Sequence, residues 1–152
     1  MANVNKTPGK ARRAEVAGGG FAGLTAAIAL RQNGWDVRLH EKSSELRAFG
    51  AGIYLWHNGL RVLEGLGALD EVLQGSHTPP TYETWMHNKS VSKETFNGLP
   101  WRIMTRSHLH DALVNRARAL GVDISVNSEA VAADPEGRLT LQTGEVLEAD
   151  LI

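Results

Sequence analysis

The sequence predicts a mixed α/β fold whose first unit is a strand, a helix and a second, parallel strand. Three observations predict it. A short apolar run at residues 14–17 stops at a cluster of glycines. An Ala- and Leu-rich stretch over residues 21–32 comes next and ends at Asn33-Gly34, a pair suited to the left-handed turn that closes a helix. Residues 35–41 then alternate, with Trp35, Val37 and Leu39 on one face and Asp36, Arg38 and His40 on the other. Strand, helix and strand within about 30 residues make a βαβ unit, which is right-handed and parallel in nearly all cases.

The rest of the chain is read by the same signals. Residues 42–56 have no clean period and form a loop running into an extended segment. Asn58 is expected to cap a helix through Val62 and Leu63, and residues 68–73 form a further short turn of helix. Pro79-Pro80 breaks the pattern. Residues 82–86 and 101–105 read as strands of a second sheet joined by a polar connection, so residues 81–105 contribute to that sheet. Ser107 is expected to cap a helix reaching Leu120, with Leu109, Ala112, Leu113, Ala117 and Leu120 on one face. Three strand-like runs come after it at 122–126, 130–133 and 138–143, with a Pro135-Glu136-Gly137 turn between the last two; they read as a three-strand meander. A last apolar run, 147–152, reads as a strand entering the core, which makes the chain an unfinished domain.

Composition bounds the function. The 152 residues are 42% hydrophobic with a net charge of −1, so a core can be buried and neither nucleic acid nor an acidic membrane is an expected partner. With no cysteine, a disulfide framework, a thiolate metal site and thiol catalysis are excluded. Residues 1–13 carry Lys6, Lys10, Arg12 and Arg13 without the apolar segment of a signal peptide, and are read as a disordered basic tail before a domain over 14–152. No run approaches the roughly 18 apolar residues of a membrane span, so a cytoplasmic protein is expected. His108 and His110 stand two apart at a helix start, share no face, and make a poor metal pair; no metal is expected.

The chemistry sits in Gly18-Gly19-Gly20-Phe21-Ala22-Gly23, which satisfies G-x-G-x-x-G. Gly18 permits the tight turn out of the strand, Gly20 lets the backbone approach a pyrophosphate, and Gly23 lets the helix pack close. The helix N-terminus then offers its N–H groups to the anion. Alone the pattern is weak; between a predicted strand and a predicted helix it has the context that confirms it. Glu41 closes the second strand 18 residues beyond Gly23, where a carboxylate can accept hydrogen bonds from a ribose. These residues specify a dinucleotide without specifying which. The layout of the chain beyond Glu41 is unlike a simple dehydrogenase domain.

From residue 14 to 152 the chain resembles the class A flavoprotein aromatic hydroxylases, FAD-dependent monooxygenases of the para-hydroxybenzoate hydroxylase type. The resemblance rests on the glycine loop through Leu24 and on Glu41-Lys42. It rests also on Arg47-Ala48-Phe49-Gly50-Ala51-Gly52-Ile53, on Asn58-Gly59-Leu60-Arg61-Val62-Leu63, on Arg106-Ser107-His108-Leu109, and on Glu148-Ala149-Asp150-Leu151-Ile152. It implies a Rossmann-like FAD-binding unit with a parallel sheet, a β-meander and the start of a substrate sheet. Bound FAD is implied as cofactor, with NADH or NADPH as co-substrate. O₂ would supply one oxygen to a small aromatic or hydroxypyridine carboxylate, with the ring opening that vitamin B6 degradation uses as one outcome.

Carried over residue by residue, the resemblance puts Gly18, Gly20, Phe21, Ala22 and Gly23 at the FAD pyrophosphate. Glu41 with Lys42 goes to the adenosine ribose, and Ala130 or Val131 to the adenine through the backbone. Arg47 and Arg106 go to the phosphate and ribitol region, where a guanidinium fork suits a pyrophosphate. Ala48 and Gly50 lie in the loop leading past the flavin ring, and Tyr54 and Tyr82 near the ring or the substrate. Each has a plain structural explanation too: Glu41 a solvated strand end, Arg47 a loop charge, Arg106 a helix-start surface residue, and the tyrosines half-buried sheet packing. Trp56, Trp85 and Trp101 read as core. No side chain stands out as a general base. The family's Asp-Gly and later Gly-Asp motifs are absent, so the chain reads as the N-terminal part of such an enzyme and is expected to be inactive alone. A stand-alone NAD(P)-binding module, or an inactive fragment, is the alternative.

Overall fold

The computed structural model describes residues 11–95 and 101–152. In chain order the elements begin β1 (Arg13–Ala17), α1 (Phe21–Gln32), β2 (Asp36–His40), β3 (Gly52–Trp56), α2 (His57–Leu66) and α3 (Leu69–Gln74). They continue β4 (Thr81–Met86), β5 (Lys89–Thr95), β6 (Trp101–Thr105) and α4 (Arg106–Ala119). Last come β7 (Asp123–Ser125), β8 (Ala130–Asp134), β9 (Arg138–Leu141) and β10 (Val146–Glu148). Two compact units result, one of Met1–Arg47 with Leu113–Ile152 and one of Ala48–Ala112. Among the described residues no helix is long and apolar enough to cross a membrane.

In the first unit β1 and β2 run parallel, with Val16 opposite Leu39, and α1 connects them as the sequence predicts. Ala14, Val37 and Leu39 from the strands and Leu24, Ala27 and Ile28 from α1 are fully or almost fully buried, which is what the 3.6 and 2.0 residue periods require of facing apolar sides. Strand β1 begins at Arg13, so the expected basic tail is shorter by that residue. Arg12 stacks over the Trp35 ring at 4.1 Å, and residues 1–10 of the tail lie outside the described residues.

The meander is real but differently composed. The run at 122–126 contributes β7, which pairs in parallel with β2 and extends the first sheet to β1-β2-β7. The physical reason is its position after a helix: a strand fed by α4 returns as a crossover, whereas a meander needs successive hairpins. The antiparallel order is β10-β9-β8, and Val146–Glu148 supplies the third strand. Beyond it Leu151 bridges Ala14 in parallel, with the Glu15 N–H donating to the Leu151 carbonyl at 3.0 Å. The predicted last run is thus divided: Leu147 and Glu148 pair with β9 and Leu151 with β1, and Leu151 and Ile152 stay partly exposed.

The second unit departs further. Strands β4 and β6 do not share a sheet: β6 pairs antiparallel with β3, and β4 pairs with β5, which lies inside the expected polar connection. The β4–β5 turn is made by His87 and Asn88, both at positive φ (47° and 61°), the geometry that matches the twist of a two-residue hairpin. Residues 96–100 of that connection lie outside the described residues. Trp101 is buried as expected, but Trp56 is 37% and Trp85 61% exposed, so Trp85 is no core residue.

Two caps also shift. Trp56, not Asn58, is the N-cap of α2, without a side-chain hydrogen bond. At α4 the capping hydroxyl is Thr105: its Oγ1 accepts the His108 N–H and the Ser107 O–H, each at 3.1 Å, and Ser107 lies inside the helix. The apolar face of α4 is as read, with Leu109, Ala112, Leu113 and Ala117 buried, and Val114 buried beside them.

Candidate functional site

The chain leaves β1 through Gly18, whose φ of +101° is a conformation that side-chain-bearing residues rarely adopt. The Gly18 N–H donates to the His40 carbonyl at 2.7 Å, which ties the loop to the end of β2. Gly20 is the N-cap of α1 at φ −79° and ψ −177°, and a Cβ built there would meet nothing within 4 Å. A Cβ on Gly23 would strike the Gly18 carbonyl oxygen. The two glycines therefore do different work: Gly23 is required by the protein's own packing, and Gly20 leaves an open face above the helix. The first turn of α1 contains no acidic residue and its N-cap has no side-chain oxygen to accept from the helix N–H groups, so neither competes with an anionic ligand there. Phe21 and Ala22 lie in this first turn.

Glu41 is held from two sides. Its Oε2 accepts the Gly19 N–H at 2.8 Å and its Oε1 accepts the Ser43 N–H at 2.9 Å. Partial burial pushes the carboxyl upward, but those N–H groups, with Lys42 beside them, outweigh burial and hold it below the ordinary glutamate value. Each carboxylate oxygen has a second lone pair, so Glu41 can brace the loop and still accept a ribose hydroxyl. A cleft of about 290 Å³ opens here, lined by Gly18, His40, Glu41, Lys42, Ser128 and Ala130 among others. Gly18, Glu41, Lys42 and Ala130, spread over the sequence, are brought to one place. Val131 comes directly after Ala130 in β8, is 55% exposed and is not among the lining residues.

Arg47 is exposed and its Nη1 donates to Glu45 Oε1 at 2.9 Å. In the second unit Gly50, at φ +100°, packs against Arg106: a Cβ there would come within 2.9 Å of the Arg106 Cδ. The Arg106 N–H donates to the Ala51 carbonyl at 3.2 Å, which fixes the start of α4 against the loop after Ala48. Tyr54 and Tyr82 share a cleft of about 200 Å³, lined also by Trp56, Trp101 and Glu94. Trp56 stacks on Trp101 with centroids 5.5 Å apart, and Tyr54 stands edge-on to Trp56 at 6.3 Å.

Sequence reasoning missed Glu94, because β5 is exposed throughout and carries no alternation. It missed Ser128 and the buried side of His40 as well; the one available signal was Glu15, a charged residue inside an otherwise apolar strand. A larger cavity of about 720 Å³ lies among Arg12, Arg13, Arg31, Asp36, Arg138 and Glu148. Its interleaved charges of both signs suit neither a pyrophosphate nor an aromatic ring, and the glycine loop remains the candidate site. Among the described residues no group of three or more His, Asp or Glu side chains is placed to hold a metal ion.

Comparison with known proteins adds four findings. A family model described as FAD binding domain matches residues 13–145. A putative 2-heptyl-3-hydroxy-4(1H)-quinolone synthase from Rhodococcus erythropolis is 46% identical over 149 residues, covering 95% of this chain and 39% of its own length. The 3-amino-4-hydroxybenzoate 2-monooxygenase of Streptomyces cremeus is 34% identical over 150 residues, covering 92% of this chain and 38% of its own length. Among solved structures, the tetrameric form of 2-methyl-3-hydroxypyridine-5-carboxylic acid oxygenase is 97% identical with a TM-score of 0.91, covering 95% of this chain and 39% of that one. The chain spans about two fifths of the length of these relatives.

Proposed function

The chain belongs to the FAD binding domain family, and from that premise we propose that the protein is a flavoprotein monooxygenase whose FAD is held at the glycine loop. The observation that carries the FAD site is the loop itself, with Gly20 open above an uncapped helix start and Glu41 bracing it. The residues fit the cofactor. Gly18, Gly20, Phe21 and Ala22 receive the pyrophosphate, and Gly23 lets α1 close on the loop. Glu41 and Lys42 take the adenosine ribose, and Ala130 or Val131 the adenine. Arg47 and Arg106 supply positive charge to the phosphate and ribitol, beside Ala48 and Gly50. When bound, FAD supplies the redox chemistry and the activation of O₂; the protein binds, orients and excludes water.

The proposed substrate is a small aromatic or hydroxypyridine carboxylate, with NADH or NADPH as reductant. The 97% identity to a hydroxypyridine carboxylate oxygenase of known structure supports that class. Tyr54 and Tyr82, meeting in one aromatic cleft, are proposed to orient its ring, since a phenol can hydrogen-bond a ring hydroxyl or nitrogen. A substrate arriving as its phenolate needs no general base, and none is assigned. The intact protein is expected to purify with flavin absorbance and to oxidise NADH or NADPH when a hydroxypyridine carboxylate is added, with oxygen incorporated into the product. Tight binding of NAD without flavin would refute the proposal.

A further inference from the structure

Glu15 lies in the middle of β1 with its side chain wholly buried, and His40 at the end of β2 is 2% exposed. Glu15 Oε2 and His40 Nε2 are 2.8 Å apart. The other ring nitrogen, Nδ1, is 2.8 Å from the Ser128 hydroxyl. Glu15 Oε1 is buried without a hydrogen-bond partner among the described residues. A buried carboxylate is expensive unless it is paired, so a pair kept here between the apolar Ala14 and Val16 calls for a use.

The relay ends in the candidate adenosine cleft, which both His40 and Ser128 line. Ser128 is also fastened there by its backbone, its N–H donating to the Glu41 carbonyl at 2.9 Å. The hydroxyl is therefore held at the wall where Glu41 stands. Its sense depends on the imidazole. With His40 neutral, the Glu15 carboxylate takes the Nε2–H, Nδ1 is an acceptor, and the Ser128 O–H must point back at it. The serine lone pairs are then left for the cleft, where they accept from a ligand hydroxyl. With His40 protonated, both ring nitrogens donate, Ser128 accepts from Nδ1–H, and its own O–H is released as a donor.

We infer that Glu15, His40 and Ser128 form a buried relay that presents Ser128 to the adenosine ribose of a dinucleotide as a hydrogen-bond acceptor, and that the sense reverses when His40 takes up a second proton. The inference rests on the proposed FAD site, and Ser128 and His40 are positioning residues. The other charged groups beside His40 are Glu41, Lys42 and Glu129 at the cleft; Asp123 on β7 lies two residues further along, paired with Arg38, and Arg13 stands at the far end of β1 opposite Asp36. Carboxyl and ammonium groups ordinarily ionise outside the interval in which an imidazole does.

The sign separates this relay from a plain charge effect. A ribose hydroxyl can donate or accept. With Nδ1–H occupying one of the Ser128 lone pairs, Ser128 has only one left to accept from the ribose, so its acceptor strength and FAD affinity fall as His40 is protonated. Charge alone would draw the anionic cofactor in more tightly under the same change. The test is FAD affinity of the intact protein, by quenching of flavin fluorescence, across the pH range over which the His40 ring resonances titrate by NMR. Wild type is expected to bind FAD about fivefold more weakly on the acid side, the scale of one lost hydrogen bond. Ser128→Ala is expected to lose that slope and Ser128→Thr, which keeps a hydroxyl, to restore it. Tighter binding on the acid side, an unchanged slope in Ser128→Ala, or a His40 ring that does not titrate overturns the relay. Wild type that binds no FAD at any pH overturns the FAD site on which the relay rests, a distinct result.

Discussion

Glu41 and Gly19 are joined across the mouth of the first βαβ unit: Glu41 Oε2 accepts the Gly19 N–H at 2.8 Å. The carboxylate proposed to meet a ribose thus also sets the shape of the loop proposed to meet a pyrophosphate. A Cβ on Gly19 would crowd that carboxylate and strike Leu46 Cδ2, so the residue between the motif glycines is constrained too, by side chains where Gly23 is constrained by backbone.

The motif glycines divide into two classes that thermal unfolding can separate. Gly23→Ala drives a methyl into the Gly18 carbonyl and is expected to destabilise by about 3 kcal/mol, the cost of overpacking against backbone that cannot yield. Gly20→Ala meets nothing and sits at an ordinary backbone conformation, so its cost is expected to be limited to that of a poorer N-cap, under about 1 kcal/mol.

Glu41 makes a signed prediction with pH. Its carboxyl is held below the ordinary glutamate value in the folded protein, so it binds its proton more weakly there than in the unfolded chain. The stability it contributes is fully present above the unfolded value and is lost as pH falls through the depressed one. Glu41→Gln is therefore expected to flatten the acid limb of stability, measured by urea unfolding at a series of acid pH values.

How far these sites are legible in the sequence depends on the length of the pattern that carries them. The first βαβ unit and α4 declare themselves because apolar spacing runs over whole elements, and the glycine loop because three positions must lack a Cβ. The pairing of β7 is hidden because Val122 to Val126 is too short to show which partner it will choose; only its place after α4 distinguishes a parallel crossover from a hairpin. Strand β5 is invisible because Lys89–Thr95 is exposed on both sides and has no alternation to read. The Glu15–His40 pair is hidden for the opposite reason: alternation puts His40 on a polar face, and the structure buries that end of the face. In the site, Ala130 and Glu41 are 89 residues apart and share a cleft only through the folded sheets.

Arg31 offers a test of the first unit that leaves the loop untouched. Its Nε donates to the Leu120 carbonyl and its Nη1 to the Trp35 carbonyl, each at 3.0 Å, joining the end of α1 to the segment after α4. Arg31→Met removes both donors and is expected to cost about 1–2 kcal/mol in chemical denaturation. Arg31→Lys, with a single ammonium in place of the fork, is expected to recover only part of it.

In the second unit the Trp56–Trp101 stack supports the cleft that Tyr54 and Tyr82 share. Trp101 is 3% exposed, so Trp101→Ala is expected to destabilise by about 3–4 kcal/mol. Trp101→Phe keeps an aromatic face and is expected to cost less, with urea midpoints giving the order.

The most direct measurement of the central claim is FAD affinity of Gly20→Val beside wild type, with folding of both checked by their melting temperatures. A site at the glycine loop predicts that wild type binds FAD and that the valine, whose Cβ meets nothing within 4 Å, weakens binding at least about tenfold while the protein stays folded. Equal FAD affinity in the two proteins, or NAD binding to wild type in place of FAD, would contradict it.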